Sequence, residues 1–157
     1  MNEEKKSFSF LAQTDAMDCG PACLAMIAEY YSLRFDRDYL RNICSFGKDG
    51  VSLLGISNAS EKIGFKAVGG RLNFDTLLTE ATLPCIIHWE QNHFVVFYKL
   101  KKHNKGRYTF YIADPARGLL TYDKEEFCNH WISTKTFGKE LKIVRLIFFY
   151  PSNRKIF

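Results

Sequence analysis

The apolar residues of this chain keep a helical spacing as far as Ile63, then fall into strand-like runs between Phe65 and Tyr150. That change of period restricts the fold more than any other feature. Leu24, Ile27, Ala28 and Tyr31 follow at spacings of three, one and three, one buried face of a helix that opens at Cys19. A second helix opens at Asp36 and presents Tyr39, Leu40, Ile43 and Cys44. Gly47 and Gly50 mark a loop. Ser52 is placed to cap a third helix, with Leu53, Ile56, Ala59, Ser60 and Ile63 along one side and Gly64 closing it. Phe65 to Leu72 then reads as a strand, and Asn73 as the cap of a short helix over Phe74 to Leu78. Strands follow at Cys85 to Trp89, His93 to Leu100 and Arg107 to Asp114. Pro115 to Gly118 is a turn and Leu119 to Tyr122 adds a strand. Asp123 caps a helix through Trp131, and Leu141 to Tyr150 is the last strand. Helices first and strands later give the α+β class, with amino-terminal helices packed on a largely antiparallel sheet.

The 157 residues fit a single domain, 1–157, with a core over about 7–150. A hydrophobic fraction of 46% and an aromatic fraction of 15% exclude a disordered chain. The net charge of +5 is mild, and much of it lies between Lys99 and Arg107, which reads as a solvated loop between two strands. A nucleic-acid face would need wider clustering and aromatics placed to stack, so no nucleic-acid partner is expected. Five cysteines cannot all pair, and no apolar signal core follows Met1 to Lys6. The expectation is a reducing, cytosolic compartment without structural disulfides. No apolar run approaches the ~20 residues of a membrane helix.

Chemistry points to the junction Asp18-Cys19-Gly20-Pro21, where a polar, turn-forming run gives way to the first helix. Asp18 is placed as an N-cap, bonded to the N–H of Gly20 or Ala22, since Pro21 has none. A thiol at the amino end of a helix gains from the positive end of the macrodipole. A histidine partner favours the thiolate further. The hairpin offers one: if Leu100 faces Arg107, His93 faces Asp114 at the open end, close enough for carboxylate and imidazole to bond. Cys19 then attacks a carbonyl carbon as thiolate, His93 moves the proton, and Asp114 fixes the tautomer and stabilises the imidazolium. The Cys19 backbone N–H and the Gln13 side-chain amide are the candidate oxyanion donors. His88, on the neighbouring strand, is the rival to His93, while His103 and His130 read as surface residues. Cys23, Cys44, Cys85 and Cys128 read as core. A Cys19/Cys23 metal pair lacks a second ligand pair at the usual spacing, so no metal or cofactor is expected.

Gln13-x4-Asp18-Cys19-Gly20-Pro21-Ala22-Cys23-Leu24-x-Met26, then His93-Phe94-Val95-Val96, then Asp114-Pro115, resembles the bacteriocin-processing peptidases. These are papain-like cysteine peptidases that form the amino-terminal domain of peptidase-containing ABC transporters. The resemblance spans roughly residues 7–150 and implies a papain-like fold. It implies a cysteine endopeptidase that cuts the leader of a precursor peptide after a double-glycine-type site, on the cytoplasmic side of the membrane. The partners it implies are that precursor and the transmembrane and nucleotide-binding domains of a transporter, the chain being either a domain cut out of one or a free-standing enzyme. Cys19, His93 and Asp114 match the family's triad positions and Gln13 its oxyanion glutamine. The alternative is a docking domain that binds leaders without cleaving them.

Overall fold

A computed structural model describes residues 7–44, 46–47, 50–90, 93–131 and 144–151. Helix α1 (Cys19–Tyr30) is buried along almost its whole length. Helix α2 (Arg37–Ile43) starts at Asp36, whose side chain accepts from the N–H groups of Asp38 and Tyr39. The stretch around Gly47 and Gly50, expected to be loop, holds two short antiparallel strands, β1 (Phe46–Gly47) and β2 (Gly50–Val51). Helix α3 (Leu53–Lys62) is capped by Ser52. Strand β3 (Phe65–Leu72) leads to helix α4 (Phe74–Glu80), capped by Asn73. Strands β4 (Cys85–Trp89), β5 (His93–Lys102), β6 (Tyr108–Asp114) and β7 (Gly118–Tyr122) follow. Helix α5 (Lys124–Trp131) opens on a reciprocal pair, with the Asp123 carboxylate accepting from Glu126 N–H and the Glu126 carboxylate from Asp123 N–H. Strand β8 (Val144–Pro151) ends the described chain, and residues 141–143 of the expected last strand lie outside it.

Six strands form one sheet in the order β3-β8-β4-β5-β6-β7, with every described pairing antiparallel. Alternation along the central strands divides the core. On β5, Phe94 and Val96 join Leu24, Met26 and Ile27 of α1 and Ile56 of α3 on one face. Val95 and Phe97 face the other way, onto Phe110, Phe127, Trp89 and Trp131. Phe110 and Phe127 stack at 4.1 Å between ring centroids, which seats α5 on the sheet. The architecture is therefore α+β as expected, with helices on both faces: α1 and α3 on one, α4 and α5 on the other. Tyr39 departs from its expected burial and is 45% exposed. Its helix is short and buries Leu40 alone, leaving Tyr39 to stack on Phe35 at the surface.

The hairpin register differs from the expected one. Lys102 pairs with Tyr108 and Lys99 with Tyr111, then an irregularity between Phe97 and Lys99 shifts the ladder so that Phe97 pairs with Ile112 and Val96 with Ala113. The turn is tighter than the sequence suggested. Lys105 and Gly106 adopt positive φ of 62° and 67°, and the His103 N–H donates to the Arg107 carbonyl at 2.8 Å. Continued outward, the shifted register sets Val95 opposite Asp114 and Pro115 opposite Phe94. His93 and Asp114 are diagonal neighbours, not a facing pair. A bulge of this kind inserts one residue on one strand.

Candidate active site

Cys19 is the first residue of α1 and is 7% exposed. Gly20 lets this end of the helix approach its neighbours. A Cβ there would stand 3.2 Å from Ile56 Cδ1 and from Val51 Cβ and Cγ1. Asp18 does not cap as expected. Its φ of −93° and ψ of 4° lie outside the extended region that turns a capping side chain back onto the helix. Its carbonyl accepts from Ala22 N–H, while its carboxylate takes the Thr14 hydroxyl and pairs with Arg41 Nε at 3.3 Å.

His93 opens β5 and Asp114 closes β6. Nε2 of His93 lies 2.7 Å from Oδ1 of Asp114, reached across the diagonal of the ladder. The Cys19 side chain acts on the same ring, its hydrogen bonding and charge being among the influences that raise the His93 pKa. With Nε2 held by the carboxylate, the nitrogen left for the thiol is Nδ1. Asp114 Oδ1 also accepts from the Ala116 N–H at 2.9 Å. Burial pulls the His93 pKa down, but the bonds to Asp114 and Cys19 and their negative charges outweigh it and lift the ring from 6.5 to about 9. Burial pushes Asp114 up, and the bonds from His93 and Ala116 N–H, with the charges of His93 and Arg117, bring it below the ordinary carboxylate value.

Gln13 reaches the site through its backbone. Its N–H donates to the Pro115 carbonyl at 2.8 Å, fastening the segment before Cys19 to the turn after Asp114. One hydrogen of its side-chain Nε2 goes to the Asp15 carbonyl at 3.0 Å, which leaves the second available. Its Oε1 is buried with no hydrogen-bond partner among the described residues.

The rival histidines stand apart from this bond. His88 packs its ring on Phe94 at 5.3 Å. His103 meets the Thr109 hydroxyl at 2.8 Å at the exposed tip of the hairpin. His130, expected at the surface, is half-buried, stacked on Trp89 at 5.1 Å and bonded to Glu90 at 2.8 Å. The other four cysteines are buried and unbridged. Burial drives the thiols of Cys23 and Cys85 well up and that of Cys44 up to about 12. No cluster of three metal-ligating side chains occurs among the described residues.

Two contacts of the site had no weight in the sequence. Arg117 Nη1 lies 4.0 Å from Asp114 Oδ2 and 3.6 Å from Glu90 Oε1, linking the aspartate's turn to the end of β4. Its place three residues after Asp114, in the turn, was the available signal. Cys23 Sγ donates to the Phe94 carbonyl at 3.3 Å. Nothing in a CxxxC spacing announces that bond.

The model of the peptidase C39 family matches residues 7–137. This chain belongs to the peptidase C39 family. Among curated C39 relatives, the colicin V secretion/processing ATP-binding protein CvaB of Escherichia coli is 36% identical over 119 residues, 76% of this chain and 16% of CvaB. The lactococcin-G-processing and transport ATP-binding protein LagD of Lactococcus lactis subsp. lactis is 34% identical over 132 residues, 81% of this chain and 18% of LagD. The chain thus spans less than a fifth of these relatives. Among solved C39 structures, a double glycine motif protease from an AMS/PCAT transporter, crystallised with the leader peptide, superposes with a TM-score of 0.77 at 32% identity and 93% coverage of both chains. The peptidase domain of Streptococcus ComA superposes with a TM-score of 0.74 at 28% identity, covering 92% of this chain and 99% of that one. A C39 domain is a cysteine peptidase, and the fold is that of its C39 neighbours.

Proposed function

We propose that this chain cleaves the leader of a precursor peptide after a double-glycine-type site, as the peptidase domain of a peptide-exporting ABC transporter at the cytoplasmic face of the membrane. Cys19 is the nucleophile, His93 the general base and acid, Asp114 the group that orients His93, and Gln13 an oxyanion donor. The observation that carries this reading is the 2.7 Å bond from His93 Nε2 to buried Asp114, with the Cys19 side chain among the groups that raise the pKa of the same ring. That arrangement lets His93 take the thiol proton as Cys19 reacts. The thiolate adds to the scissile carbonyl carbon and forms the C–S bond, and the electron pair moves to oxygen. The oxyanion is met by the Cys19 N–H, one of the first-turn donors with no carbonyl ahead of it in the helix, and by the free Gln13 Nε2 hydrogen. As the C–N bond breaks, His93 gives its proton to the leaving amine. Water, deprotonated by His93, then hydrolyses the thioester and regenerates the thiolate. Arg117 balances the charge of Asp114 from the side opposite His93. Membership of C39, the names of the relatives and the leader-bound neighbour support the substrate class.

The test is mass-spectrometric digestion of a leader peptide ending in Gly-Gly. The wild-type chain cuts after the glycines, while Cys19→Ala binds the leader and leaves it intact. Cleavage by Cys19→Ala at the wild-type rate would overturn the assignment. Binding without cleavage by the wild type would make the chain a docking domain.

A further inference from the structure

The tip of the β5–β6 hairpin stands at the opposite end of the sheet from Cys19. Lys99, Lys101, Lys102, Lys105 and Arg107 fall within nine residues that contain no acidic side chain, and all five are exposed. Set them aside and the remaining 17 Lys and Arg match the chain's 17 Asp and Glu. The whole net charge of +5 therefore sits on this tip.

The tip is ordered. Lys102 pairs with Tyr108, the His103 N–H and Arg107 carbonyl close the turn, and His103 meets Thr109. No ion pair among the described residues involves any of the five cations. Lys99 Nζ rests 4.8 Å from the centre of the Tyr111 ring. Arg107 borders a recess of about 550 Å³ whose wall includes Asp123 and Glu125. Lys101, Lys102 and Lys105 have neither neighbour. Along β5, nine residue steps at about 3.3 Å put roughly 30 Å between His93 and Lys102.

Five cations on the last residues of β5 and the turn that follows attract an extended anionic surface. The aromatics nearest the tip, Tyr108 and Tyr111, are half-buried, Tyr108 packed beside Phe110 and Tyr111 under Lys99, so no fully exposed ring is presented for a base to stack on. We propose that the hairpin tip docks the domain onto anionic phospholipid headgroups at a membrane face, with the Cys19 end held about 30 Å out, clear for substrate. Clusters of four or more basic side chains bind anionic leaflets in this way, each cation adding about fivefold to affinity. The proposal takes the nearness of a membrane from the exporter reading. Vesicle binding needs no leader peptide, so failure here and failure of leader cleavage are separate results.

The experiment is co-sedimentation of the purified chain with phosphatidylcholine vesicles, with and without about one-third phosphatidylglycerol. Binding is expected only with phosphatidylglycerol and falls as salt rises. A Lys101→Gln/Lys105→Gln variant is expected to bind about 25-fold more weakly and to cleave a free leader at the wild-type rate, which also shows it to be folded. No binding to the anionic vesicles at about 50 mM salt overturns the proposal. So does equal binding by the double variant, or tighter binding to duplex DNA than to the vesicles in the same buffer.

Discussion

His93 is the residue on which the site's behaviour turns. Its pKa is raised, from 6.5 to about 9, so its contribution to stability is full below about pH 6.5 and is lost as pH rises through about 9. Leader cleavage is expected to hold through the neutral range and fall above about pH 9, when the imidazolium loses its proton. Asp114→Asn keeps an acceptor but removes the charge, and the alkaline limb of kcat/KM is expected to move down by about 1–3 pH units. An unmoved limb would mean that Asp114 does not set the proton affinity of His93. Cys19, His93 and Asp114 were each legible as residue types at suggestive places, and the His93–Asp114 contact was expected. The register that makes it was not legible. Phe97-Tyr98-Lys99 reads as unbroken strand, with no glycine or proline to mark the irregularity. Asp18 misled for a related reason: a cap is a local bond, and here Thr14 and Arg41 took the carboxylate first.

Between elements, the decisive contact joins α1 to β5. The Cys23 thiol donates to the Phe94 carbonyl from a fully buried position, one turn below Cys19 and one residue beyond His93. Phe94 lies where the β6 ladder has ended, and the residue next in register, Pro115, has no N–H to offer. Burial keeps Cys23 protonated, so the donor is present at any working pH. Cys23→Ala leaves a buried carbonyl without its donor and is expected to cost about 1–3 kcal/mol in urea unfolding. Cys23→Ser restores a hydroxyl and recovers part of that loss. Equal losses in the two variants would show that the bond contributes nothing. Element boundaries were largely legible where a single capping side chain sets them, as at Ser52, Asn73 and Asp123. The β1–β2 pair was not, because two residues a side carry no alternation to read.

Across the whole molecule, the position of β8 is what local pattern could not supply. Its existence was readable from its apolar run, but its place depends on which partners remain open. The strand inserts between β3 and β4, pairing along the full length of β3 and with Cys85, Ile86 and Ile87 of β4. A chain ending at residue 137, where the family match stops, is therefore expected to leave two edges unpaired and to aggregate at concentrations where the full chain stays in solution. Light scattering of the two proteins would check this, and equal solubility would show the sheet complete without β8. The insertion also sets an order in time. A ribosome delivers Cys19 early, His93 and Asp114 later, and the strand that closes the sheet beneath them last of all the described elements. On the proposed mechanism, a nascent chain that still lacks β8 carries Cys19, His93 and Asp114 on an open sheet, and cleavage is expected only once that strand has been inserted.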